Sequence, residues 1–163
     1  MTEAWLRGPV RGIDPLLMPA VQALMHAQED IAQAGVSLLT PEQLWAKPGG
    51  AGSIGFHLKH IANSIDRMLT YAHGRDLDER QFAALRDEAT SGGNAAPLVD
   101  NLDRAIARAI TEIGETPVSA LPEPRAIGRH KLPTTLFGIL FHIGEHSARH
   151  AGQIVTLSKV VRG

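Results

Sequence analysis

Residues 134–161 contain no proline and place apolar side chains at Leu136, Ile139, Leu140, Ile143, Ile154, Leu157 and Val160. Steps of three and four are the signature of one helical face. A helix of that length reaches about 40 Å and cannot bury its own stripe. The chain must therefore supply partner helices of similar length, which is the strongest single constraint on its fold. The same segment carries His142, His146 and His150 in steps of four, inside an otherwise apolar run.

Prolines and glycines divide the rest of the chain into the partners this segment needs. The first spans about 15–34, opened by Asp14-Pro15 and closed by Gly35, with Leu17, Val21, Leu24, Gln28 and Ile31 at helical spacing. Thr40-Pro41-Glu42-Gln43 reads as a capping box opening a short turn that ends near Trp45. The second long helix is expected over 53–73, stopped by Gly74, with Ile54, Leu58, Ile61, Ile65, Met68 and Leu69 as its stripe. A shorter helix near 78–88 and a Ser91–Asn94 loop follow. The third long helix is expected over 97–113, on Leu98, Leu102, Ile106, Ala109 and Ile113, with Gly114 ending it. Residues 115–133 hold Pro117, Pro122, Pro124 and Pro133, which predicts a long irregular crossover. The alternation that a sheet needs is scarce. The pattern predicts an all-α chain: a four-helix bundle with a long crossover before the last helix and short extra helical turns, residues 1–163 forming one domain.

Composition narrows function mainly by exclusion. The 163 residues carry 16 basic and 17 acidic side chains, so no bulk charge draws the chain to nucleic acid or anionic lipid. There is no cysteine, which removes disulfides, thiolate ligands and a cysteine nucleophile. The N-terminal stretch lacks the apolar core of a signal peptide, and no apolar run is long enough for a membrane span. The expectation is a cytoplasmic protein that binds neither nucleic acid nor membrane.

Histidines are unusually frequent, eight in all. Two imidazoles at i and i+4 sit about 6 Å apart along one helix face and can share an ion. Such pairs need a third ligand from another element. The second helix offers His57 and His60, with His60 bordering the apolar stripe and His57 pointing toward the edge. Three neutral imidazoles without sulfur suit Zn, Ni, Co, Fe or Cu and not Mg or Ca. A lone histidine on an apolar face is more often a satisfied core residue, and that reading stands for His57 and His142 singly. Three in four-residue steps are harder to account for so, because burying several unpartnered imidazoles costs a few kcal/mol. Gly144 and Gly152 interrupt the same helix, which close approach of a neighbour would explain. Glu145 and Arg149 read as a surface ion pair.

Several segments resemble the DinB-like superfamily of metal-binding four-helix bundles. They are Ser53-Ile54-Gly55-Phe56-His57-Leu58-Lys59-His60-Ile61-Ala62, then Asp66-Arg67-Met68-Leu69, and the run from His142 to Ile154. Thr40-Pro41-Glu42-Gln43-Leu44-Trp45 also matches, and the likeness extends over nearly the whole chain in order. The resemblance implies a metal between the second and fourth long helices. Its ligands would be His60, His146 and His150, with His142 behind them or against the substrate and the part of His57 open. It implies one divalent transition metal, Zn or Ni foremost, and a homodimer. Relatives include thiol-dependent S-transferases and a thiol-dependent isomerase, and others are described only as metal-dependent hydrolases. The chain is therefore expected to be a metal-dependent enzyme acting on a small molecule, a thiol S-transferase using a low-molecular-weight thiol or a hydrolase. The alternatives are a non-catalytic metal-binding stress-response or sensor protein, and a helical module without metal.

Overall fold

The computed structural model describes residues 2–163. Six α-helices account for most of them: α1 (Met18–Gln33), α2 (Pro41–Trp45), α3 (Ile54–Ala72), α4 (Glu79–Asp87), α5 (Ala95–Gly114) and α6 (Leu136–Val160). Side chains that compete with the backbone in solution cap several of them. Thr40 and Asp78 each form a capping box, with Gln43 and Gln81, and Ser53 accepts from the Phe56 amide. Asp14 caps a turn one step ahead of α1, accepting from the Leu16 amide at 2.9 Å, so the regular helix begins at Met18. The third long helix starts earlier than its proline suggests: Pro97 lies in the first turn of α5, where a missing N–H is harmless.

α1, α3, α5 and α6 form the bundle. α6 lies between α1 and α3, and α5 closes the ring by touching α3 and α1. α1 thus sits diagonally opposite α3, and α5 opposite α6. Both connections that lead into the histidine-bearing helices cross the bundle: residues 34–53 from α1 to α3, and 115–135 from α5 to α6. The core is aliphatic, with Leu24, Leu58, Ile61, Leu102, Ile106, Ile113, Ile139, Ile143 and Ile154 almost wholly buried.

The crossover departs from expectation. Part of it is a hairpin of β1 (Pro124–Ile127) and β2 (Leu132–Thr135), antiparallel, pairing Pro124 with Thr135 and Ile127 with Leu132. Pro133 faces Ala126 across this two-stranded ribbon, where a residue without an N–H is tolerated on an edge. Thr135 ends the hairpin and caps α6 by accepting from the Gly138 amide at 3.1 Å.

The two glycines of α6 differ. A Cβ on Gly144 would lie 2.7 Å from the Ala20 carbonyl oxygen, so its absence lets α1 and α6 touch backbone to backbone. Gly152 meets nothing and carries no such constraint.

Candidate metal centre

α3 and α6 lie side by side, so two histidine-bearing faces from distant parts of the chain meet. His60 Nε2 and His146 Nε2 are 3.0 Å apart. The imidazole of His150 packs on both, with ring centroids 4.6 Å from His60 and 4.5 Å from His146. One ring nitrogen of each of the three lies within 4.8 Å of the others. Two nitrogens bound to one tetrahedral zinc at about 2.0 Å stand about 3.3 Å apart, so the spacing already approaches that of a shared ion. Among the described residues no fourth His, Asp or Glu donor joins the three.

The far side of His60 is held by a residue that sequence patterning did not single out. Glu88, the C-cap of α4, receives the His60 Nδ1–H at 2.7 Å through Oε2. Its Oε1 accepts from Arg67 Nη1 at 2.6 Å. Both partners are nearly enclosed, with side chains 4% (Glu88) and 9% (Arg67) exposed. Burial pushes the Glu88 carboxyl up, but the hydrogen bonds from His60 and Arg67 and the guanidinium charge outweigh it and hold the group below its ordinary value. An ionised Glu88 fixes the proton of His60 on Nδ1 and leaves the Nε2 lone pair facing His146. Support of a ligating histidine by a carboxylate is the usual way a protein sets tautomer and ring orientation.

His57 lies elsewhere than expected. It is only 3% exposed and does not reach the edge of the bundle. The 47–53 loop covers that face of α3, so closely that a Cβ on Gly52 would sit 3.1 Å from His57 Nε2. His57 Nδ1 is 2.8 Å from His150 Nδ1. It therefore stands behind His150 and turns that ring's other nitrogen toward the cluster. His57 Nε2 is buried without a partner. Such an unsatisfied buried polar atom costs about 1–3 kcal/mol. His142 is 40% exposed, hydrogen-bonded to Glu145 at 2.8 Å, with its ring centroid 4.9 Å from that of His146. Arg149 pairs with the same Glu145 at 2.8 Å on the surface.

Electrostatics favour the neutral imidazoles that a metal requires. Burial, reinforced by the neighbouring His60, His142 and Arg149, pushes the His146 pKa down to about 4. Burial with His146, His60, His57 and Arg149 does the same to His150, also to about 4. Burial lowers His57 as well, with His60 adding to it. At neutral pH these nitrogens carry free lone pairs, so an ion displaces no proton from them beyond a tautomer shift. The donor set, its spacing and its protonation fit a divalent transition metal.

Comparison with known proteins bears on the family and the fold. The sequence model of the DinB superfamily matches residues 23–154. No curated protein matches the chain. Among solved structures the chain is similar to YfiT from Bacillus subtilis, at 21% identity and a TM-score of 0.67, covering 94% of this chain and 92% of that one. YfiT is described as a probable metal-dependent hydrolase with an unusual four-helix bundle topology. At that identity the likeness is one of fold. Among the described residues no helix is long and apolar enough to cross a membrane.

Proposed function

The chain belongs to the DinB superfamily, and from that premise we propose that it is a metal-dependent enzyme whose divalent ion, Zn or Ni, is held by His60, His146 and His150. The observation that carries the reading is the convergence of three imidazoles with no fourth His, Asp or Glu donor among the described residues, one of them braced by a buried Glu88. Structural sites close their fourth position with protein, whereas catalytic sites leave one for water or substrate. When bound there, the ion would supply Lewis acidity and lower the pKa of an oxygen or sulfur nucleophile. The substrate is a small molecule, and the reaction is hydrolysis or transfer of a low-molecular-weight thiol.

The protein's own groups have separable tasks in this reading. Glu88 holds the His60 proton on Nδ1 and so keeps Nε2 free. His57 does the same for His150 from a buried position. His142 is the one histidine of the group whose ring is substantially open to solvent while touching His146. It reaches the rim of the cluster, oriented there by its hydrogen bond to Glu145. Metal analysis of the purified protein, alone and as His146→Ala, tests the reading. The expected outcome is about one ion per chain, lost with the substitution, and a melting temperature that falls on chelation in the parent only. Turnover is then sought with ester and amide substrates and with electrophiles in the presence of glutathione, bacillithiol or mycothiol. A melting temperature indifferent to chelator would refute the metal assignment.

A further inference from the structure

A second cleft is lined in part by Arg67, the partner of Glu88. α3, α4 and the β1–β2 hairpin enclose a cleft of about 770 Å³, within the range that holds small organic ligands. Its walls are apolar: Met68 from α3, Phe82 and Leu85 from α4, and Ile127 from β1. Phe82 and Leu85 remain 44% and 43% exposed, apolar surface that an occupant of the cleft would withdraw from water.

Two polar side chains, largely buried but with accessible donor atoms, line these walls. Tyr71 is 7% exposed and lines the cleft, yet its hydroxyl has no hydrogen-bond partner among the described residues. Arg67, 8% exposed, also lines it and spends only Nη1, on Glu88, leaving Nε and Nη2 without partners. Neither group's free donors are wholly shut off from water, so an acceptor on a ligand can take the place of solvent there. Both lie in α3 four residues apart, on one helix face. The charges at the cleft sum simply. Arg67 is neutralised by Glu88 and Lys131 is paired with Asp76. Arg129 at the rim has no acidic partner among the described residues, so one positive charge is left over.

We propose that this cleft binds a small amphipathic monocarboxylate, its acid group received by Arg67 and Tyr71 with Arg129 at the mouth, and its apolar part lying against Met68, Phe82, Leu85 and Ile127. A single surplus cation matches one carboxylate better than a doubly charged phosphate. The planar guanidinium fork matches it in shape. The site does not depend on the metal reading, although Arg67 serves both, because it also steadies the Glu88 that holds His60.

The test titrates octanoate into the full chain, as purified with its metal and again after chelation, with methyl-group NMR to place the ligand. Saturable 1:1 binding is expected in both preparations, with shifts centred on Ile127 and Leu85. Acetate and octanol should each bind at least tenfold more weakly, since each lacks one half of the recognition. Tyr71→Phe, which keeps the packing, and Arg129→Ala, on the surface, should each weaken octanoate by about tenfold. Binding unaltered in both variants would overturn the proposal. So would shifts centred on the histidine cluster, loss of binding on chelation, or no saturable binding at all.

Discussion

Replacing Glu88 by glutamine separates its two tasks, and the structure sets the size of each. The carboxylate uses one oxygen on His60 and the other on Arg67. A glutamine amide has a single acceptor oxygen, so it can serve one partner and must present N–H to the other. Served first, Arg67 keeps a hydrogen bond, but its charge is left buried without a counterion. Breaking a buried ion pair costs about 3–5 kcal/mol, and retention of one hydrogen bond places Glu88→Gln near the lower end, about 3. For a chain of this size each kcal/mol moves the melting temperature by about 2–4 °C, so the chelated protein should melt about 6–12 °C lower. The amide N–H facing His60 then opposes the Nδ1–H tautomer that frees Nε2. Loss of such a support lowers metal affinity about 10–100-fold, or roughly 1.4–2.7 kcal/mol. Calorimetry of the chelated protein and a competition titration with Zn measure the two effects independently. The double substitution Arg67→Met with Glu88→Leu removes both charges, and should recover much of the stability while leaving the affinity low. Zn affinity in Glu88→Gln within threefold of the parent, with stability lost, would show that Glu88 serves Arg67 alone and would sink the account of His60.

Two further expectations follow from the same geometry. In the chelated protein His146 and His150 have pKa values near 4 against an ordinary 6.5. The unfolded chain therefore takes up protons first on acidification. Their contribution is fully present above pH 6.5 and is lost as pH falls toward 4, so the urea midpoint should decline through that window and less steeply in His146→Gln; a flat profile between pH 6.5 and 5 contradicts it. Gly144→Ala gains about 1 kcal/mol of helix propensity but drives a methyl into the Ala20 carbonyl, an overpacking cost of about 1–3 kcal/mol, so net destabilisation is expected. Gly152→Ala, with open space around it, should raise the melting temperature, and equal shifts in the two variants would refute the close-approach reading of Gly144.

Much of the centre was legible because its components lie within single helices. Steps of four from His146 to His150 put two imidazoles on one face whatever the rest of the chain does, and Pro133 and Gly74 bound the helices that carry the cluster. Capping residues such as Thr40 and Ser53 acted as their side-chain chemistry requires. Spacing left His57 and His60 as alternatives, because adjacent turns of a helix differ in direction by only about 60°. In the fold the 47–53 loop covers His57, which meets His150, while His60 Nε2 lies 3.0 Å from His146 Nε2.

The sequence by itself determined four amphipathic helices and a face bearing paired histidines, since periodicity and caps are properties of neighbours in the chain. The tertiary structure alone decided that α6 would lie beside α3 and diagonal to α5, and it alone brought Glu88 to His60 and His57 to His150. It also folded part of the proline-rich crossover into a hairpin and left Tyr71 and Arg67 facing a cleft. These contacts join residues far apart in the chain, and no local spacing encodes them. They exist because burying four apolar stripes at once admits few arrangements, and the polar groups find their partners within whichever one the core selects.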